Sequence, residues 1–155
     1  MGRMYSVQFT GVAVTAQQDF FEINASTNRS LKIHSCYISQ SSDAGDAQDE
    51  QLSILIKTGA TTSGSGGSAP TPSPLIAGGA AANFTAEANN TTKATAGTIV
   101  TAHADCFNVR AGWPYRPTPE ERIELTGAGR LTVELGTTPA DSLTMNGTII
   151  IEEIG

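Results

Sequence analysis

The feature that most constrains the fold is a series of short segments in which apolar and polar residues alternate, separated by Gly, Pro, Asn and Thr. Such alternation is typical of β-strands with one buried face. In the first segment, Tyr5, Val7 and Phe9 share one side. The alternation then slips by one position at Gly11, so that Val12 has the wrong parity for a regular strand. A slip at a glycine predicts a β-bulge.

Further segments are predicted as strands, and no window of comparable length has helical periodicity. We expect the segment at 52–57 to end at Gly59. About eight to ten short strands joined by Gly, Pro and Asn turns predict an all-β chain, an antiparallel β-sandwich with the jelly roll as the preferred topology. The additional strand segments are 20–23, 31–38, 52–57, 81–88, 99–109, 123–125, 131–135 and 143–154.

Residues 59–75 form a Gly/Ser/Pro-rich stretch of the kind that usually links domains. The segments before and after it look like parts of one sandwich, and 155 residues correspond to about one domain. We therefore expect a single domain over residues 1–155, with 59–75 as a long ordered loop or arm inside it. Because loops of this length are usually functional or disordered, we expect a partner surface to hold it.

The charge pattern argues against two classes of partner. Only 15% of the residues are charged, the formal net charge is −6, and the nine Lys and Arg residues are scattered along the chain. Binding to nucleic acid requires a concentrated basic surface, so no direct nucleic-acid contact is expected. No apolar run has the length of a membrane span or resembles a signal-peptide core, which predicts synthesis in the cytoplasm and no membrane partner.

The reactive side chains do not form a recognisable catalytic or metal-binding pattern. His34 and His103 lie near Cys36 and Cys106 in sequence, but structural zinc sites usually take cysteines from C-x-x-C turns rather than from strands. We expect both cysteines to be reduced and partly buried. The acidic segment 43–50 is predicted to be a solvated loop. The sequence therefore predicts no catalytic residues, no metal site and no cofactor.

Residues 111–119 contain the single tryptophan of the chain together with three of its seven prolines. Trp113, Tyr115 and Arg116 have the composition of an interface hot spot on a stiff loop. The same loop could instead fold over one end of the sandwich and close its core. Both interpretations remain open at the level of sequence, and both hold if the closing loop faces another subunit.

Six stretches of the chain carry a resemblance that covers nearly its whole length. They are MYSVQF (4–9), GSGGSAPTP (64–72), EANNTT (87–92), FNVRAGW (107–113), PTPE (117–120) and DSLTMNG (141–147). With these stretches the chain resembles the capsid decoration, or cement, proteins of tailed bacteriophages. None of the stretches is a mechanistic motif, so the resemblance concerns the type of protein and not a reaction.

The resemblance implies a structural virion protein, commonly a homotrimer, that sits on the outside of an icosahedral capsid. Its partner would be the major capsid protein, and it would stabilise the shell by clamping neighbouring capsid subunits. Such a role needs a rigid sandwich and loops that reach across subunit boundaries, and it needs no catalytic centre. The expected contact residues, on the capsid or on a sister subunit, are Trp113, Tyr115, Arg116, Gly64, Ser65, Gly66, Gly67, Pro70, Pro72, Pro74 and Tyr5.

Two other classes of function are consistent with a jelly roll. A carbohydrate- or receptor-binding module of a phage fibre or tail could use Trp113, Tyr115 and Asn90, although aromatic residues make up only 6% of the chain. A cupin-type enzyme would need closely spaced histidines on one strand, and the chain has no His-x-His element. The enzyme is therefore the least favoured of the three.

Overall fold

The computed structural model describes residues 2–42 and 49–155, so most of the acidic segment 43–50 lies outside the described residues. Within them, the only helical element is a single 3-10 turn, Pro119–Glu121. The strands are β1 (Arg3–Val14), β2 (Gln18–Asn24), β3 (Ser30–Gln40), β4 (Gln51–Thr62), β5 (Ser73–Pro74), β6 (Thr85–Asn90), β7 (Thr95–Asn108), β8 (Trp113–Tyr115), β9 (Glu124–Leu125), β10 (Arg130–Leu135) and β11 (Leu143–Ile154).

The strands form two antiparallel sheets that pack against each other. The first sheet has the order β5-β1-β11-β3-β8, with β9 also paired to β3, and we call it the β1 sheet. The second has the order β6-β2-β10-β4-β7 and is called the β2 sheet. The predicted all-β antiparallel sandwich is confirmed. The two-residue strand β9 lies within the predicted segment 123–125, whereas β5 is too short to leave a pattern in the sequence.

The core lies between the inner faces of the two sheets. In β11 every second residue is buried, as period-two alternation requires for a strand with one solvated face. Buried residues of both sheets belong to one apolar cluster, which includes Phe20, Phe21 and Ile151. Each large apolar side chain that is fully buried contributes about 1.5–3 kcal/mol to the stability of the fold. The alternation in the sequence therefore identifies the core face of strands such as β1 and β11.

The predicted β-bulge at Gly11 is confirmed. The register of β1 against β11 shifts between Phe9 and Val12. Gly11 has a φ of +65°, a left-handed conformation that glycine adopts without steric cost. Its backbone N–H donates to the side-chain oxygen of Asn146 at 2.9 Å. This N–H therefore keeps a hydrogen-bond partner although the bulge takes it out of the β1–β11 ladder. The bulge allows Val14 to face the core again after the slip.

The prediction that β4 ends at Gly59 is wrong. Gly59 has a φ of +93° and lies inside the strand at an irregularity in the ladder to β7. A Cβ at this position would lie 2.1 Å from the carbonyl oxygen of Thr98, so the glycine allows a close approach of two backbones and does not stop the strand. Because β4 continues, its last residue Thr62 pairs with Thr95, and β7 begins four residues earlier than predicted.

Strand β6 begins at Thr85, four residues later than the sequence predicts. The preceding residues bond to the β1 sheet instead. The hydroxyl of Tyr5 donates to the carbonyl of Ala80 at 3.1 Å. The backbone N–H of Asn83 donates to the Glu153 carboxylate at 2.7 Å. This segment therefore joins the two sheets at one side of the sandwich, and its small residues do not extend the ladder.

Both cysteines lie in strands, as predicted, and both are free. Cys36 of β3 is fully buried, and this burial raises the pKa of its thiol far above the usual value. Cys106 of β7 is exposed rather than partly buried, because β7 is the outermost strand of the β2 sheet. Cys106 is thus the accessible thiol of the pair.

Candidate protein-interaction surfaces

Trp113 and Tyr115 lie in β8, the edge strand that pairs with β3. Their exposed fractions are only 3% and 6%. The two rings stack with centroids 5.7 Å apart, and the indole N–H of Trp113 donates to the Asp105 carboxylate of β7 at 3.1 Å. The imidazole of His103 lies 4.8 Å from the Tyr115 ring. These rings close the core between the edge strands of the two sheets and offer little surface to another protein.

Arg116 follows β8 and is exposed. Its guanidinium lies over the ring of Tyr37, 5.1 Å from the centroid, which limits its motion through a cation–π contact. Trp113, Tyr115 and Arg116 were predicted to form an interface, and of these three Arg116 is the one whose side chain is available to a partner. The side-chain stacking keeps it pre-organised, which lowers the entropy lost on binding.

A polar cleft of about 390 Å³ lies beside this residue, between β7 and the segment after β8. We call it the edge cleft; His103, Asp105, Tyr115, Arg116 and Glu121 are among its lining residues. Hydrogen bonds from the Cys106 backbone N–H and the indole of Trp113 lower the pKa of Asp105. Burial raises the pKa of Tyr115, with Glu121 adding to the shift. The edge cleft thus presents a neutral phenol beside carboxylates and a guanidinium.

Residues 64–74, which we call the strap, run from the β2 sheet to the β1 sheet across one side of the sandwich. Ser65 exchanges backbone hydrogen bonds with Thr92, and Ser68 exchanges them with Ala88 of β6. At its far end, Ser73 and Pro74 form β5 against β1. The expectation that a partner surface holds this loop is therefore wrong, because the chain's own strands hold it.

The glycines of the strap are required by its close approach to β6. A Cβ at Gly67 would lie 2.1 Å from the carbonyl oxygen of Ala88, and Gly66 has a φ of +90°. Gly64 is buried, with its backbone N–H donating to the Glu22 carboxylate at 2.9 Å. The glycines therefore serve the fold, while the side chains of Ser65, Ser68 and Ala69 remain on the surface.

Two of the three prolines of the strap line a shallow apolar depression of about 270 Å³. Pro70 and Pro72 line it together with Phe84. Phe84 in turn packs edge-on against Tyr5, with ring centroids 5.6 Å apart. Tyr5 is completely buried, so this predicted contact residue supports the strap from below and does not reach the surface. Pro74, the last residue of the strap, is partly buried in β5.

A network of buried charges on the outer face of the β2 sheet was not expected from the sequence. Its centre is Glu22, whose side chain has no exposed surface. The Glu22 carboxylate pairs with Arg130 at 2.8 Å and accepts hydrogen bonds from Ser63 and from the backbone N–H of Gly64. Asn90, which the sequence suggested for glycan contact, is buried and donates to the same carboxylate. The network ties the beginning of the strap to the sheet.

Beside it, Glu134 bonds two lysines that come from different parts of the chain. Its carboxylate lies 2.7 Å from Lys57 and 3.0 Å from Lys93. Burial alone would raise the pKa of Glu134, but the bonds to both lysines outweigh it and lower the pKa. Lys93 belongs to the connection between β6 and β7, so this ion pair holds that connection on the sheet. The bonds of Glu22 and Glu134 thus hold both the start of the strap and the β6–β7 connection on the β2 sheet.

Asp19 gives this network a distinct dependence on pH. Burial raises its pKa from 3.8 to about 6, and the neighbouring carboxylates of Glu134 and Glu22 add to the rise. One oxygen accepts from the backbone N–H of Ala94 at 2.8 Å, and the other has no partner. The folded state therefore binds a proton at Asp19 more tightly than the unfolded chain. The stabilisation from this bound proton is fully present below the unfolded pKa of 3.8. It is lost as the pH rises through about 6, the pKa of Asp19 in the folded state.

We expect Asp19→Asn to raise the melting temperature at about pH 7, where the wild-type protein carries a buried charge. The advantage should shrink as the pH falls towards about 4, because the wild-type carboxyl then becomes neutral in the folded state. Thermal melts of both proteins across this range measure the difference. A deficit of the variant that grows as the pH rises through about 6 would show instead that the ionised form of Asp19 is needed for folding.

The residues suggested for metal binding are engaged elsewhere. His34 bonds the Glu152 carboxylate at 2.8 Å, and His103 packs on Tyr115. Over residues 2–42 and 49–155, no group of three His, Cys, Asp or Glu side chains is arranged to hold a metal ion. In the same ranges, no helix has the length and apolar character needed to span a membrane.

No protein-family model fits the chain, and no curated protein is significantly similar to it.

Proposed function

We propose that the chain is a structural virion protein that binds the outside of a tailed-phage capsid and stabilises it by clamping neighbouring capsid subunits. The observation that carries this proposal is the strap, an exposed segment that the chain itself holds in place. A contact surface that is already ordered loses little entropy when it binds. Ser65 and Ala69 are among its exposed residues, and none of its eleven residues is charged.

A clamp must contact two neighbours, and the molecule has candidate surfaces on opposite edges. The strap covers the side formed by β1 and β6, whereas Arg116 and the edge cleft lie on the side formed by β7 and β8. Binding at both sides would favour the assembled shell over its separate subunits by mass action. Repetition of modest contacts over the shell would add avidity. This role requires no reaction centre, and we treat the protein as structural rather than catalytic.

The jelly-roll topology and the homotrimer are part of the same proposal. Strand order supports the jelly roll: without β5, β6 and β9, each sheet has four strands, β1-β11-β3-β8 and β2-β10-β4-β7. Eight strands in two such sheets are what a jelly roll requires. The homotrimer, the major capsid protein as partner and the position on the virion surface follow from the resemblance to decoration proteins.

The second candidate function is binding of a glycan by a fibre or tail module. The edge cleft favours it, because carboxylates, an imidazole and a guanidinium surround one open volume. Sugars usually also stack on an exposed aromatic face, and Trp113 and Tyr115 expose almost none of theirs. The capsid role is therefore the better supported of the two.

Co-sedimentation with undecorated heads of the virus that encodes the chain tests the proposal. We expect the wild-type protein to sediment with the heads. Ala69→Arg in the strap and Arg116→Glu at the edge cleft should each weaken binding at least about tenfold, the equivalent of about 1.4 kcal/mol. Thr10→Arg, on the outer face of β1, is the matched exposed control and should bind normally. A wild-type protein that stays in the supernatant would refute the proposal, and screening against glycans would follow.

A further inference from the structure

Residues 91–94, which we call the latch, join β6 to β7 and contribute no side chain to the core. Thr91 and Thr92 are exposed, and Lys93 and Ala94 are partly buried. Two residues after the latch, Ala96 has a φ of +60°, a left-handed conformation that is unfavourable for alanine. A segment without buried apolar contacts opens more easily than the core. Polar bonds therefore decide how firmly the latch is held.

The latch is attached to the β2 sheet through two buried carboxylates. The backbone N–H of Ala94 donates to Asp19 at 2.8 Å. The ammonium of Lys93 lies 3.0 Å from the Glu134 carboxylate and also donates to the side chain of Gln17 at 3.2 Å. Asp19 and Glu134 are opposite each other in the β2–β10 ladder and are 1% and 7% exposed. A change of charge at this pair therefore acts directly on the latch.

The latch in turn holds the beginning of the strap. Thr92 and Ser65 exchange two backbone hydrogen bonds, of 2.9 and 3.0 Å. The neighbouring Gly64 packs so closely on the latch that a Cβ there would lie 2.5 Å from the carbonyl oxygen of Thr92. If the latch opens, Ser65 loses both bonds, and this end of the strap stays tied only through Gly64 and Ser68. The latch thus controls part of the attachment of the strap.

Asp19 is poorly placed to carry a negative charge. One of its carboxylate oxygens accepts the bond from Ala94, whereas the other is buried and has no partner among the described residues. Asn90, its neighbour across the β2–β6 ladder, directs its amide to Glu22 and Glu87. Burial of a charge without full hydrogen bonding is costly. Ionisation of Asp19 therefore favours an open latch, in which water reaches the carboxylate.

The charged groups around Asp19 increase this cost. Burial raises the pKa of Asp19 from 3.8 to about 6, and the carboxylates of Glu134 on β10 and Glu22 on β2 add to the rise. The N–H of Ala94 and the ammonium of Lys93 oppose it. The other cations of this face pair with the two neighbouring carboxylates and are Lys57 and Arg130. Among the described residues, Lys93 of the latch is therefore the cation that faces Asp19, and it is shared with Glu134.

We propose that the latch is a pH-sensitive device that sets how firmly the beginning of the strap is held. With Asp19 protonated, the latch closes over a neutral carboxyl group. With Asp19 ionised, the latch opens more often and releases Ser65. Because the pKa of Asp19 is raised in the closed state, the stabilisation by its proton is fully present below 3.8 and is lost as the pH rises through about 6. The device does not depend on the proposed binding to a capsid.

Amide hydrogen exchange of the full chain, corrected for the intrinsic dependence of exchange on pH, tests the device. In the wild-type protein, protection of the N–H groups of Thr92, Ala94 and Ser65 should fall about tenfold between about pH 5 and about pH 7.5. This is the factor that a pKa of about 6 in the closed state and 3.8 in the open state requires. Asp19→Asn cannot ionise and should show no such fall. Asp141→Asn, at an exposed position, is the matched control and should behave as the wild-type protein does.

Three results would overturn the device. Equal falls in the wild-type protein and in Asp19→Asn would mean that other groups cause them. Latch amides as strongly protected as those of β10 at about pH 7.5 would mean that only global unfolding releases the latch. Weaker protection of the latch in Asp19→Asn than in the wild-type protein at about pH 7.5 would mean that the ionised carboxylate closes it. Heads take no part in this experiment, so its failure would leave the proposed function unaffected, and a failure to bind heads would leave the device unaffected.

Discussion

Trp113→Ala is expected to lower the free energy of unfolding by about 3–5 kcal/mol, the usual cost of removing a large buried aromatic side chain. The indole is 3% exposed, stacks on Tyr115 and bonds Asp105. Its removal would leave a cavity between the edge strands of the two sheets. Urea denaturation of the variant and the wild-type protein measures the loss.

Two control variants separate packing from surface effects at this site. Trp113→Phe keeps most of the buried ring but loses the bond to Asp105, so its cost should be about 0.5–1.5 kcal/mol. Arg116→Ala changes an exposed side chain and should alter stability by less than about 0.5 kcal/mol. If Trp113→Ala unfolded at the same urea concentration as the wild-type protein, the ring would not be part of the core.

Glu22→Ala is expected to cost about 3–5 kcal/mol, because removal of one partner leaves the other buried charge uncompensated. Arg130 would lose its carboxylate, and the N–H of Gly64 and the hydroxyl of Ser63 would lose their acceptor. The strap should loosen at its beginning as well. Thermal melting and amide hydrogen exchange at residues 63–68 measure these two effects.

Glu87→Gln is the matched control for this prediction. Glu87 lies opposite Glu22 in the β2–β6 ladder and on the same outer face. It is only partly buried, and it has no ion-pair partner among the described residues. We expect a change of less than about 1 kcal/mol. A loss for Glu22→Ala as small as that for Glu87→Gln would mean that the Glu22–Arg130 pair does not hold the strap.

The fold class is predictable from the sequence because strands such as β1 and β11 bury one face. The alternation in β1 and β11 specifies which residues face the core, and the slip at Gly11 locates the bulge. Strand ends are less predictable. Gly59 is predicted to end β4, but it lies inside the strand. A glycine is needed there because the backbone of β7 comes too close for a side chain.

The interaction surfaces are less predictable, because they depend on contacts between distant residues. The composition around Trp113 fits an interface as well as a core, and only the position of β3 and β7 decides that the ring is buried. Glu22 follows two phenylalanines and gives no sign of its partner Arg130, which is more than a hundred residues away. Likewise, Ile99 and Val100 fit a buried strand, and their exposure follows from the position of β7 at the sheet edge.

The most direct test of the central proposal is the melting temperature of undecorated heads, measured by scanning calorimetry with and without the purified protein. A protein that binds the assembled shell and not its separate subunits must raise this temperature, by an amount that grows with the concentration of free protein. We predict such a rise with the wild-type protein, a smaller rise with Ala69→Arg and an unchanged effect with Thr10→Arg. An unchanged melting temperature of heads at saturating wild-type protein would contradict the account.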